Sequence, residues 1–177
     1  MTRVILLFAV LAGLMVSDGT AQEKKQWKGK AFEITQHFNL NNCAYLAQCD
    51  CCSAHLVLLD DSRFVYSSPC VADDYYNRGS YEVSKTQLTL HFDSVLVKSI
   101  YNWDSETDTT LTAYEVTREK IKPSYFSFEF ITCGEEEKLL SGGEHPFFGQ
   151  EQSQFDLNDY LKEFEKTQTG RMLLSDF

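Results

Sequence analysis

The chain has 177 residues, with 16 Lys and Arg against 26 Asp and Glu, for a formal net charge of −10. An acidic chain gains nothing from displacing the counterions of a phosphate backbone, which argues against nucleic acid and anionic membrane as partners. Beyond residue 21 no stretch reaches the roughly 18 consecutive apolar residues that a membrane-spanning helix needs.

Residues 1–21 read as a secretory signal. Arg3 supplies the positive start, residues 4–16 are an apolar run too short to span a bilayer, and Gly19-Thr20-Ala21 places small residues where a signal peptidase reads. Cleavage after Ala21 is expected, leaving 22–177 as a single domain exported to the periplasm or the extracellular space. All six cysteines, Cys43, Cys49, Cys51, Cys52, Cys70 and Cys133, lie in that part. An oxidising compartment favours disulfides. A bond between the adjacent Cys51 and Cys52 would be a strained ring, so the expectation is that Cys49, Cys51 and Cys52 pair outward with Cys43, Cys70 and Cys133.

In chain order, an opening strand is expected at 31–37, followed over 38–54 by a disulfide-pinned loop. From residue 55 the dominant period is two, the pattern of strands with one buried face. Segments 55–59 and 64–68 flank the polar turn Asp60-Asp61-Ser62, and 79–84 and 88–92 form a second hairpin around Lys85 and Thr86. Further strands are expected at 95–101, 110–117 and 124–132, the last with Phe126, Phe128 and Phe130 on one face. Residues 134–153 are rich in Glu, Gly and Gln without an apolar rhythm and read as an exposed connection. Leu157, Tyr160, Leu161 and Phe164 recur at helical spacing after a candidate N-cap, Asp156, with Gly170 beyond the end. One amphipathic helix is expected over about 155–168, its apolar stripe covering a face of the sheet. About eight short strands separated by turns imply a mainly β protein, an antiparallel up-and-down barrel or a sandwich.

The order of Trp27-Lys28-Gly29, a Cys-containing loop, a Leu/Val-rich strand, an acidic turn and the Phe-x-Tyr of Phe64 and Tyr66 carries a resemblance, continued by Cys70, the Gly-x-Tyr-x-Val from Gly79 to Val83 and the Leu-x-Leu-x-Phe from Leu88 to Phe92. This pattern, over roughly residues 27–133, resembles the small secreted lipocalin-like domains common in Bacteroidota-type bacteria. The resemblance implies an eight-stranded up-and-down barrel with a helix after the last strand. The opening here runs Trp-x-Gly where lipocalins have Gly-x-Trp, and no family binding residues transfer.

Several constellations carry possible chemistry. Cys49, Cys51, Cys52 and His55 fall within seven residues, a donor set suited to Zn or Cu if the thiols stay reduced. The oxidising compartment and the even count favour the same cysteines as disulfide partners, with His55 an ordinary residue at a strand start. His91 falls on the polar face of its strand, where solvent is the default; in a barrel with a polar interior, His91 and Glu82 would instead be ligand contacts. Tyr75, Tyr76 and Trp103 fall in expected turns or at strand ends, where exposed rings can stack on a sugar or a partner. His37, His55, His91 and His145 are the only histidines, and none stands in a catalytic motif. The leading reading is an exported non-enzymatic β-barrel that binds a small apolar ligand or an envelope partner, without a cofactor. Alternatives are a Zn- or Cu-binding protein using the cysteine cluster and an envelope hydrolase.

Overall fold

The computed structural model describes residues 26–46, 51 and 53–177. The signal segment, Cys49 and Cys52 lie outside the described residues. Eleven strands are described: β1 (Ala31–Thr35), β2 (Phe38–Asn39), β3 (Ala44–Tyr45), β4 (Ser53–Leu58), β5 (Arg63–Ser68), β6 (Asp73–Val83), β7 (Gln87–Tyr101), β8 (Tyr114–Lys120), β9 (Ser124–Cys133), β10 (Glu136–Ser141) and β11 (Phe148–Glu151). Two helices follow, α1 (Leu157–Phe164) and α2 (Gln168–Leu174). Among the described residues no helix is long and apolar enough to cross a membrane.

The main sheet runs β6-β5-β4-β1-β11-β10-β9-β7-β8, and β6 also pairs with β7, which closes it. The result is an antiparallel eight-stranded barrel, because β8 and β9 follow one another along a single edge of β7. Residues 87–92 of β7 pair with β9 and residues 95–101 pair with β8, and between them Ile121 N donates to Ser94 O. The stagger is large. One row of partners passes from Gln87 through Glu129, Leu140, Phe148 and Thr35 to Ser53. Two residues along β4, the row from His55 through Ser67 and Tyr76 reaches Val97, well up the same β7. Such a climb means steeply tilted strands and a barrel wider than one closed without stagger.

Several elements differ from expectation, among them the strand expected at 110–117, which is β8, Tyr114–Lys120. Residues 134–153 are not an exposed connection: they hold β10 and β11, which close the barrel between β9 and β1. Both strands are short and the apolar residues fall in adjacent pairs, Leu139-Leu140 and Phe147-Phe148, so the segment shows no periodic run. Segments 88–92 and 95–101 are one continuous β7, and Tyr75 and Tyr76 lie within β6 rather than in a turn. The single helix is two: Asp156 caps α1 through Asn158 N and Asp159 N, and Thr167 caps a fresh start by accepting from Gly170 N, placing Gly170 inside α2.

The helices cover the outside of one wall. Ala31, Val57, Val65 and Val97 point outward and are buried against Leu173, with Tyr76, Tyr160, Leu161 and Phe164 completing this second core. Arg78 on β6 pins the arrangement. Its Nη1 donates to the carbonyls of Leu173 and Ser175, and its guanidinium lies 4.8 Å from the Phe177 ring centroid. These carbonyls at the end of α2 have no intrahelical donor, so a buried cation there removes a desolvation cost.

Among the described residues two disulfides hold the periphery. Cys43 joins Cys133, 90 residues apart, tying the β2–β3 flap to the end of β9, where Phe38 stacks on the outward-facing Phe148 at 4.8 Å. Cys51 joins Cys70, linking the chain before β4 to the chain after β5. Cys51 thus pairs outward as expected, whereas Cys43 and Cys133 join each other instead of partners in the Cys49–Cys52 cluster. The flap places Cys43 against β9, which chain order alone does not reveal.

Strand β6 shifts register against β7 between Asn77 and Gly79, a bulge where the two backbones come close. A Cβ on Gly79 would sit 1.9 Å from the His91 carbonyl oxygen. Gly79→Ala is therefore expected to destabilise the protein by about 2 kcal/mol or more in urea denaturation. An unchanged midpoint would contradict this close approach.

Candidate functional site

Alternation along the strands sends Phe32, Ile34, Leu56, Leu58, Phe64, Tyr81, Leu88, Leu90, Phe128 and Leu139 into the barrel, where they are all but inaccessible. Burial of each large apolar side chain contributes roughly 1.5–3 kcal/mol. Gly149 belongs to this interior because a Cβ there would lie 2.8 Å from both Ile34 Cδ1 and Leu139 Cβ.

The two ends differ. At the end where β1 begins, Trp27 stacks on Phe130 at 5.0 Å and lies 6.2 Å from Phe32. Gly29 N donates to Leu58 O, Lys30 pairs with Glu151, and the Tyr81 hydroxyl donates to Asp60 O. The Trp-x-Gly of the sequence is thus a plug for this end. At the opposite end the interior is not filled. A cavity of about 360 Å³ opens there, lined by Ile34, Phe92, Phe126, Phe147, Tyr66 and Asn77, with Ile121, Ser124 and Tyr125 at the rim.

Local irregularities create the opening. The bulge after Asn77 bends β6, and the break between β8 and β9 at residues 121–123, which includes Pro123, bends the strand across β7. Bulges and prolines bend paired strands where ladder hydrogen bonds are lost. The aromatic rings meet edge to face: Phe64 and Tyr66 against Phe92 at 5.1 and 5.7 Å, and Phe126 against Phe147 at 5.6 Å. Burial alone pushes the Tyr66 hydroxyl above the ordinary tyrosine value of 10.0. That hydroxyl makes no hydrogen bond among the described residues.

The residues singled out from the sequence do not converge. His91 and Glu82 face outward from the barrel, exposed, their Nε2 and Oε1 atoms 4.0 Å apart, so neither contacts the interior. Tyr75 lies beside Lys98, whose Nζ is 6.0 Å from the ring centroid, while Tyr76 points to the opposite face and packs on Phe164. Trp103 sits at the tip of the β7–β8 connection in a short 3-10 helix, edge-on to Tyr101 at 4.9 Å and exposed. His55 faces outward with Nδ1 3.4 Å from Gln152 Nε2. Of the proposed metal donors, Cys51 is committed to its bond with Cys70, and a disulfide sulfur has no thiolate to offer. Among the described residues no group of three or more His, Cys, Asp and Glu side chains is placed to hold a metal. A second groove, of about 600 Å³, brings His37, His145 and Glu144 beside Phe38, Leu40 and Pro146.

Tyr66, Asn77, Phe92 and Phe147 were not legible as site residues. The apolar alternation of Leu88, Leu90 and Phe92 gave their strand and its inward face, but not the end at which packing stops. Compared with protein-family models, curated proteins and solved structures, the chain matches none.

Four tyrosines share one electrostatic consequence of this packing. Burial, then the Asp74 carboxylate, raises Tyr76; burial, then Tyr76 itself, raises Tyr160; burial, then Asp61 and Asp60, pushes Tyr81 up to about 12. With Tyr66, all four hold their protons more tightly folded than unfolded. Their contribution is fully present below pH 10 and is lost as pH rises through the folded values. Stability measured by denaturation is expected to fall steeply above pH 10, with late tyrosine absorbance changes coinciding with unfolding. Four tyrosines ionising in the folded state at their ordinary value would contradict the burial.

Proposed function

We propose that this is an exported, non-enzymatic binding protein that holds a small apolar ligand in the open end of its barrel. The observation that carries the reading is a cavity of about 360 Å³ with mostly aromatic and aliphatic walls, set over a filled interior. Sites for small molecules are commonly concave, largely apolar and around 300–1,000 Å³. Apolar walls facing an open space lack dispersion partners, and a ligand of complementary shape restores them. The rim is held on one side by the Cys51–Cys70 bond, a device suited to the oxidising compartment to which residues 1–21 are expected to direct the chain.

A hydrolytic reading has less support. Among the described residues the groove that gathers His37, His145 and Glu144 has no Ser, Thr or Cys in its lining, and no hydrogen bond joins the histidine rings to the carboxylate. A base without a positioned nucleophile or orienting partner lacks the geometry of acyl or phosphoryl transfer.

The neutral fluorescent amine N-phenyl-1-naphthylamine tests the binding reading. It is expected to bind at one saturable site with enhanced emission. Ser124→Trp, which places a large side chain at the exposed rim of the cavity, is expected to weaken that binding about tenfold or more while leaving the thermal midpoint within about 2 °C. Equal binding by the two proteins, or no binding by the parent, would refute the assignment.

A further inference from the structure

The lining of the cavity also specifies a class of ligand, an inference that rests on the binding reading above. Among the described residues its walls present no Lys, Arg, His, Asp or Glu. Lys120 and Lys122, on either side of the rim residue Ile121, are exposed to solvent outside the lining, and the cations nearer the walls are engaged. Lys98, beyond the mouth on β7, is 2.8 Å from Glu119 Oε1, and Arg78, next to Asn77 in sequence, turns outward to the end of α2. A carboxylate or phosphate entering this space would surrender its water without gaining a counter-charge, and an ammonium would do the same without an anion.

Two polar groups in the cavity are nevertheless open to a ligand. The Tyr66 hydroxyl has no hydrogen-bond partner among the described residues and can both donate and accept. Asn77 donates from Nδ2 to Val95 O at 3.1 Å, which fixes its amide and leaves Oδ1 as an acceptor. Around them, Phe92, Phe126 and Phe147 offer ring faces and edges. Aromatic pairs favour offset-stacked or edge-to-face geometry, so a planar ring is a better guest here than a flexible chain. Placing one ring in position also costs less conformational entropy than ordering an alkyl tail of equal area.

We propose that the cavity selects a neutral, ring-bearing molecule with a hydroxyl or similar uncharged polar group, held by Tyr66 and Asn77, and rejects anionic and cationic analogues of the same shape. The reading predicts selection by charge on a constant ring.

Titration calorimetry at pH 7 with naphthalene, 2-naphthol, 2-naphthoate and 2-naphthylmethylammonium tests it, using the parent protein, Ser124→Trp and Tyr66→Phe. The expected order places 2-naphthol at least about tenfold tighter than either ion. Tyr66→Phe is expected to weaken 2-naphthol about fivefold, the size of one neutral hydrogen bond, while leaving naphthalene unchanged. Ions that bind as tightly as 2-naphthol, or a Tyr66→Phe protein that treats naphthol and naphthalene alike, would overturn the ligand class while leaving an apolar site in place. Failure of naphthalene and 2-naphthol to bind at all, or binding that survives Ser124→Trp, would overturn the binding reading itself.

Discussion

The pairing of β1 with β11 is the constraint on which the rest of the structure depends. Phe32, Glu33, Ile34 and Thr35 meet Glu151, Gln150, Gly149 and Phe148, joining the first strand of the sheet to its last. Without that seam the sheet would have two open edges and an inner face of Phe and Leu side chains with nothing to cover it. With it, the inner face becomes an interior, and Gly149 lets Ile34 and Leu139 meet across the closure. The wide stagger of the strands then sets an interior large enough that side chains need not fill it throughout.

Asymmetry between the ends turns this closed shape into a candidate receptor. One end is sealed by a single indole stacked over Phe130, together with a lysine–glutamate pair, a backbone hydrogen bond from Gly29 and one from the Tyr81 hydroxyl. At the other, β6 bulges and the β8–β9 strand breaks, so rings that would pack against neighbours in a filled barrel face open space. The Cys51–Cys70 bond and the Arg78 clamp both act outside the cavity, holding rim and helices without placing charge in the lining. The cavity wall is thus left without charge among the described residues, and on the proposed reading its selectivity falls on Tyr66 and Asn77.

Much of the architecture was legible because inward and outward side chains alternate strongly in β4, β5, β7 and β9, where turns such as Asp60-Asp61-Ser62 also mark the hairpins. The barrel with helical cover follows from that alternation, and Asp156 marked the start of α1. Closure was not legible. The segment that provides it carries Glu136, Glu137 and Lys138 beside Leu139, and Gly149 beside Phe148, so neither strand is long enough to establish a period. The candidate site was hidden for a related reason. Aromatic residues that line a cavity have the same spacing as those that fill a core, and only the bends at Asn77 and residues 121–123 separate the two. His91, Glu82 and Trp103 drew attention as polar or aromatic residues in an apolar pattern, yet the first two lie on the outer wall and the last at a hairpin tip.

Native-state hydrogen exchange of the backbone amides in β10 and β11 tests the closure most directly. A closed barrel predicts that the amides of Phe148 and Gln150, which face β1 across the seam, and of Leu139 and Gly149, which face each other between β10 and β11, exchange only through near-global opening, as slowly as those of β4 and β5. Rapid exchange across residues 136–151, at rates typical of an exposed connection, would contradict the seam and, with it, the cavity.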